Sequence, residues 1–186
     1  MTTMQRLTVV LGAALLASGC GYNRIQTLDE TVSGYASQIE VQLQRRADLI
    51  PNLVETVKGF AAQEEEIFTS VADARARLSG AVQSGDIGEM AAANQGMNSA
   101  LSRLLAIVEN YPELKSNENF RMLQDQLEGT ENRIATARQD YNAAVREYNA
   151  YIRRFPQVLT AKIIGAESRE YFEADEGAAE APQVEF

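Results

Sequence analysis

Apolar residues recur three and four positions apart along the first half of the chain. This spacing places them on one face of an α-helix and predicts an amphipathic helix that packs against another helix. In order, the stripe is Ile25, Leu28, Val32, Tyr35 and Ile39, then Ile50, Leu53, Val57, Phe60, Ile67, Val71, Ala74 and Leu78. Its phase shifts between Ile39 and Ile50, next to Pro51. Because proline lacks a backbone N–H and clashes with the preceding turn, we expect a kink near residues 47–51 or a break between two stacked helices there.

Two further helices are predicted downstream. A shorter stripe follows the turn-prone residues 84–86 and ends before Pro112; its members are Met90, Met97, Leu101, Leu104 and Val108. Residues 118–155 read as one long helix with Asn117 as its cap and Pro156 as its stop. No segment alternates with period two, so no sheet is expected. Residues 20–172 are therefore predicted to form an all-α domain, an elongated antiparallel up-and-down helical bundle with long coiled-coil-like helices.

The N-terminus has the layout of an export signal. Arg6 precedes an apolar run of 13 residues, Leu7–Gly19, which ends in small residues directly before Cys20, the only cysteine of the chain. A spanning helix needs about 20 apolar residues, so this run is short for one. With a cysteine at the cut site, it resembles a bacterial lipoprotein signal. Residues 1–19 are the predicted signal and Cys20 the predicted lipid-attachment residue; an uncleaved anchor and a signal with an incidental cysteine are the alternatives.

Each of these alternatives exports the body of the protein. We therefore expect a protein of the cell envelope that is held at a membrane and faces the periplasm. Gly21, rather than an aspartate, follows the cysteine. By resemblance to the sorting rule of two-membrane bacteria, this favours the inner leaflet of the outer membrane.

Charge and residue usage narrow the function classes. The chain carries 26 acidic and 17 basic residues, a net charge of −9; such a surface is poorly suited to nucleic acid. No histidine is present and the only thiol is assigned to lipid, which removes the commonest general base and metal ligand. We therefore predict no enzyme, no cofactor and no metal. Two sets of carboxylates have the chemistry of weak calcium or magnesium ligands: Asp125, Glu128 and Glu131, and the run Glu64–Glu66. We interpret both sets as solvated charged faces.

Candidate contact residues lie around the phase shift. The predicted partner-binding residues are Arg45, Arg46, Asp48 and Asn52. The alternative is that such arginines pair with carboxylates across the bundle or stay solvated. The tyrosine row of Tyr141, Tyr148 and Tyr151 is expected to be core rather than a ligand cage. Residues 90–93 are expected to be a thinly packed helix start, with a groove for a partner helix as the alternative, and the acidic residues from Glu173 onward a disordered tail.

Several segments together resemble the LemA family of bacterial membrane-associated proteins. They are residues 45–60 (RRADLIPNLVETVKGF), 108–115 (VENYPELK), 130–138 (TENRIATAR), Tyr141-Asn142 and Phe155-Pro156. The resemblance implies a helical bundle that is tethered at its N-terminus and faces away from the cytoplasm, but it implies no accepted biochemical role. Two departures stand out: a lipoprotein-like signal replaces the transmembrane helix of many relatives, and Gln63 stands where they often carry histidine.

The resulting expectation is a non-enzymatic, lipid-anchored envelope protein that acts as a scaffold or partner-binding module. Its partners would be the membrane, through the N-terminal lipid, and an unidentified envelope protein or a second copy of the chain. The resemblance also implies two alternatives. The family's frequent association with membrane proteases suggests an accessory subunit, and one relative in magnetic bacteria takes part in organelle membrane formation, which suggests a structural protein that organises a membrane.

Overall fold

The computed structural model describes the backbone of residues 3–172 and the side chains of residues 21–172. The predicted signal, the Cys20 thiol and the predicted acidic tail therefore lie outside the described side chains. The helices are α1 (Thr3–Lys58), α2 (Glu65–Ser84), α3 (Ile87–Val108), α4 (Pro112–Ser116), α5 (Glu118–Ile152) and α6 (Gln157–Ile164). Over residues 3–172 no strand is found, and the predicted all-α helical bundle is confirmed.

Local sequence signals account for several helix ends. Gly85, with a φ of 71°, ends α2 in the left-handed conformation that glycine adopts without strain. The Asp86 side chain then accepts a hydrogen bond from the backbone N–H of Glu89 at 2.7 Å and caps α3. Asn117 caps α5 as predicted, because its Oδ1 accepts from the backbone N–H of Phe120 at 3.1 Å.

Of the two expectations at Pro51, a kink or a break between two helices, the break is wrong. Helix α1 continues through Pro51 to Lys58, and the chain leaves helical geometry only at residues 59–64. The carbonyl of Ala47, four residues earlier, would normally accept the N–H that proline lacks. Here Nε of Arg75, on α2, donates to that carbonyl oxygen at 2.8 Å. Because this bond from a neighbouring helix satisfies the freed acceptor, the helix does not need to end there.

The described chain divides into two compact units. One contains Ser37–Gln139 and residues 171–172; parts of α1 and α5 pack there with α2, α3 and α4. Its fully buried side chains include Leu43, Ile50, Leu53, Leu78, Met90, Met97, Leu104 and Leu114. Burial of this many large apolar side chains is the main stabilising contribution to a bundle of this size.

The other unit contains the chain up to Ala36 together with Asp140–Glu170. Its buried apolar residues include Ile25, Leu28, Val32, Tyr141, Val145, Tyr148, Ile152 and Ala161. Tyr141 and Tyr148 are each only 3% exposed, so their predicted core role is confirmed, whereas Tyr151 is half-buried. The short helix α6, which follows Pro156, was not predicted.

Residues 165–170 follow α6 without helical structure and are bonded to the helices of this second unit. The Asn149 side chain forms two hydrogen bonds with the backbone of Arg169: Nδ2 donates to its carbonyl oxygen and Oδ1 accepts from its N–H, both at 2.8 Å. The Tyr141 hydroxyl donates to the carbonyl oxygen of Glu170 at 2.8 Å. The guanidinium of Arg169 makes a two-pronged contact with Asp29 at 2.9 and 3.0 Å. The bonds from Asn149 and Tyr141 satisfy backbone groups that have no helical partners, and the Arg169–Asp29 contact adds an ion pair.

Candidate partner-binding surface

The four predicted contact residues occupy two different environments. Arg46 is 5% exposed and lies inside the bundle. Its Nη1 donates to Oδ1 of Asn94 at 2.6 Å, and its Nη2 donates to Oδ1 of Asn98 at 2.5 Å, both on α3. Nη1 also lies 2.7 Å from Oε2 of Glu131 on α5. Arg46 is therefore paired with a carboxylate across the bundle, which was the alternative to partner binding.

The buried Arg46 guanidinium is held as a charge. Burial lowers its pKa, and the carboxylate of Glu131 partly opposes this effect. An arginine stays protonated in proteins even so. Its contact with Glu131 is an ion pair whose geometry does not form a hydrogen bond. The Nε atom of Arg46 and the Oε1 atom of Gln42 are also buried without a protein hydrogen-bond partner. A charge held by two helices fixes how α1 is rotated about its axis, since any other rotation would break those contacts.

The other three predicted residues point away from this network. Arg45, Asp48 and Asn52 are exposed and are spaced three and four apart, which places them on one side of α1. Val41, one turn earlier on the same side, is 61% exposed. Asp48 accepts a hydrogen bond from Nε2 of Gln44 at 2.9 Å. We refer to Val41, Arg45, Asp48 and Asn52 as the α1 face.

Arg45 also borders an open groove of about 550 Å³ beside α5. The α5 side of the groove contributes Arg121, Asp125 and Arg133, together with Met122, which is 51% exposed. The α1 face is thus continuous with a surface that combines charged side chains and accessible apolar area, a composition typical of protein contacts. Val41 and Met122 were not predicted to be surface residues. The signal available in the sequence was that both are apolar and lie outside the predicted apolar stripes.

A second groove, of about 1150 Å³, runs between α2 and α3. Small residues line it, among them Ala74, Ala81, Ala93 and Ala100. Charged side chains of both signs, including Asp73, Arg77 and Arg103, surround them. Met90 is fully buried at the start of α3, so the groove is formed by the alanines that follow it and not by a loosely packed methionine. A partner helix in this groove stays a prediction.

Two residues at the break after α1 can now be placed. Gln63, where relatives often carry histidine, donates from Nε2 to the Tyr111 hydroxyl at 2.5 Å and joins two loops. Glu64 is half-buried at the start of α2 and its side chain makes no capping hydrogen bond.

The carboxylates that were considered as weak metal ligands on α5 have other surroundings: Glu131 pairs with Arg46, and Asp125 borders the groove beside Arg45. Within residues 21–172, no three acidic or cysteine side chains converge as metal ligands.

In the part of the chain that the structure describes, no helix combines the length and apolar character needed to cross a bilayer.

Comparison with known proteins identifies the family to which this chain belongs. The LemA family model matches residues 35–186. Magnetosome proteins MamQ 2 and MamQ 1 of Paramagnetospirillum magneticum are each 33% identical to this chain over 175 residues, covering 82% of it. Magnetosome protein MamQ of Magnetospirillum gryphiswaldense is 32% identical over 174 residues, covering 81%. The chain spans 64% of the length of each of these relatives. Because the family model covers most of its residues, the chain belongs to the LemA family.

Proposed function

We propose that this chain is a non-enzymatic, membrane-associated envelope protein that holds protein partners at a membrane. A lipid on Cys20 attaches the N-terminus, and the α1 face receives the partner. Membership of the LemA family and similarity to magnetosome proteins support membrane association. The acidic composition, with a net charge of −9, makes charge attraction of the whole protein to anionic lipid unfavourable, which supports attachment through a lipid.

The observation that supports the proposal most strongly is that adjacent residues of α1 differ in burial. Arg46 is buried and fixed by α3 and α5, whereas Arg45, Asp48 and Asn52 are exposed on the other side of the same turns. A fixed helix with its polar face outward is a preorganised surface, and preorganisation lowers the entropic cost of binding.

A structural role in organising a membrane is the second candidate. Relatives with 33% identity are named as magnetosome proteins, and the groove between α2 and α3 has charges of both signs around a surface of small residues. Such a groove suits a second copy of the chain, because opposite charges can pair across a two-fold axis. In this candidate the protein acts as a self-assembling scaffold.

Crosslinking in intact cells, followed by mass spectrometry, tests the proposal. The control is Cys20→Ser, which cannot be acylated through a thiol. A reproducible partner that is recovered with the native protein and lost with Cys20→Ser supports a membrane-dependent complex; a protease as that partner would make the protein an accessory subunit. Recovery of multimers of the chain alone supports the scaffold. Turnover of a substrate by the purified protein, dependent on a divalent cation, would contradict the non-enzymatic role.

A further inference from the structure

The helix α6 and the residue that leads into it carry an unusual apolar surface. Phe155 is 80% exposed, Leu159 54% and Ile163 83%, and Phe155 and Ile163 are more exposed than any other large apolar residue described. Leu159 and Ile163 are four apart on α6, so their side chains lie on one side of the helix, and Phe155 lies two residues before the helix begins. The opposite side of α6 is packed: Ala161 is only 3% exposed, and Gln157 and Thr160 are half-buried. We call Phe155, Leu159 and Ile163 the α6 face.

The charges around the α6 face differ from those of the rest of the chain. Residues 148–166 contain Arg153, Arg154 and Lys162 and no acidic residue, whereas the whole chain has 26 acidic and 17 basic residues. Arg153 donates from Nη2 to the Ser168 hydroxyl at 3.0 Å. Arg154 and Lys162 are exposed beside the α6 face. An apolar patch with adjacent basic residues is complementary to an anionic bilayer surface, because lipid phosphates attract the cations and the interface accepts apolar side chains.

The inner side of α6 lies against the start of the described side chains. A Cβ atom placed on Gly21 would be 3.5 Å from Oγ1 of Thr160 and 3.7 Å from Cγ of Gln157. Gly21 directly follows Cys20, the proposed lipid-attachment residue. Gly21 and α6 belong to the same compact unit. The α6 face is therefore presented within one helix diameter of the point at which the chain would enter the membrane.

We propose that the α6 face is a second membrane contact. Phe155, Leu159 and Ile163 enter the interfacial region of the bilayer, while Arg154 and Lys162 lie at the level of the phosphate groups, with their aliphatic stems along the apolar surface. This inference rests on the proposed membrane attachment. Beside the lipid on Cys20, this second contact adds buried apolar area and sets the orientation of this compact unit against the bilayer.

The absence of tryptophan from the sequence gives a direct test. In the full chain, Phe155→Trp introduces a single fluorophore at the α6 face with little change in size or polarity. The matched control is Leu105→Trp, at a residue that is 37% exposed in the other compact unit and lies outside the α1 face. Vesicles of phosphatidylglycerol and phosphatidylcholine are prepared with and without brominated acyl chains, which quench tryptophan at the interface. Cosedimentation with the same vesicles measures binding of each variant independently.

The expected result on adding vesicles is a blue shift and bromolipid quenching for Phe155→Trp, with neither for Leu105→Trp. In addition, Leu159→Glu with Ile163→Glu should weaken vesicle binding at least tenfold, because each change removes an apolar side chain from the interface and adds a charge there. The control Leu105→Glu should leave vesicle binding unchanged.

Three outcomes would contradict these expectations. Vesicle binding by Phe155→Trp, with its indole still in water, would overturn this inference alone. No vesicle binding by any variant, including acylated protein, would overturn the membrane attachment as well. A blue shift without lipid that disappears on dilution would assign the α6 face to self-association and overturn the inference.

Discussion

Arg75 and Ala47 are joined by a hydrogen bond, from Nε to the backbone carbonyl oxygen, at 2.8 Å. They are 28 residues apart in sequence and lie on α2 and α1. The bond replaces the one that Pro51 cannot donate, and it lets α1 continue for about two turns beyond the proline, to Lys58. Since the α1 face includes Asn52, this bond also maintains the helical geometry of the proposed contact surface.

The Arg75 bond gives the first prediction. Arg75→Met should lower the free energy of unfolding by about 1–2 kcal/mol, because it leaves the Ala47 carbonyl without a partner. In a Pro51→Ala background, the backbone N–H of residue 51 can serve that carbonyl, so Arg75→Met should cost about 1 kcal/mol less there. Urea denaturation of the four proteins measures the coupling. Arg77→Met, at an exposed arginine of the same helix, is the control, and equal costs in both backgrounds would contradict the account.

The buried charge network gives the second prediction. Glu131→Gln keeps the shape of the side chain but removes the charge that faces Arg46, whose own side chain is 7% exposed. We expect a loss of about 2 kcal/mol in the free energy of unfolding; the 40% exposure of the Glu131 side chain keeps the loss below that for a fully buried pair. Glu128→Gln, at an exposed position one turn earlier, should change stability by less than about 0.5 kcal/mol. Similar losses for the two variants would show that the Arg46 pair is not a significant contact.

Asn149 gives the third prediction, since it both donates to and accepts from the backbone of Arg169. Asn149→Asp keeps the acceptor and loses the donor, whereas Asn149→Leu loses both. Amide hydrogen exchange at Arg169 should therefore be fastest in Asn149→Leu, intermediate in Asn149→Asp and slowest in the native protein, because local opening becomes easier as each bond is removed. Unchanged exchange at this amide in Asn149→Leu would mean that the segment 165–170 is held by other contacts.

The fourth prediction concerns alkaline pH. Burial raises the pKa values of Tyr141 and Tyr148. Arg169 opposes the shift in both, whereas Glu170 raises the pKa of Tyr141 further and Asp29 raises that of Tyr148 further. A raised pKa means that the folded state favours the neutral phenol, so this contribution to stability is complete below the unfolded value of about 10 and is lost as pH rises through the folded value. Tyr141→Phe should therefore lose less stability between about pH 9 and 11 than the native protein loses.

Thermal unfolding followed across that pH range measures this difference. Tyr22→Phe, at an exposed ring, controls for the loss of a hydroxyl alone. At neutral pH, Tyr141→Phe should itself be less stable by about 1 kcal/mol, because the Glu170 carbonyl loses its donor. An identical alkaline decline in native protein and Tyr141→Phe would contradict the assigned direction of the pKa shift.

Periodicity predicted much of this fold because most helices bury one continuous stripe. The caps at Asp86 and Asn117 and the core positions Tyr141 and Tyr148 follow local rules, and local rules are visible in sequence. The break expected as one of two outcomes at Pro51 was wrong for the opposite reason. The missing bond is replaced by Arg75, and no local pattern shows a contact over that separation. Helix α6 was missed because its eight residues are too few to establish a period.

The candidate surface was predicted only in part. Arg45, Arg46, Asp48 and Asn52 were grouped because they are close in sequence, yet the helical rotation of about 100° per residue separates Arg46 from the other three. Arg46 rather than Arg45 is buried because it has partners on other helices, Asn94 on α3 and Glu131 on α5. The sequence of α1 alone does not reveal those partners. The α6 face was not foreseen, because exposure of apolar residues depends on what packs around them.

The most direct test of the central claim, that the α1 face receives a partner at the membrane, is site-specific photocrosslinking in cells. A photoreactive phenylalanine analogue replaces Asn52 on the α1 face or, as the control, exposed Arg146 on α5. We predict a reproducible crosslinked product from position 52 in the membrane fraction, absent from position 146 and lost when Cys20→Ser is added. Equal crosslinking from both positions, or none from position 52 in protein that is membrane-bound, would contradict the claim.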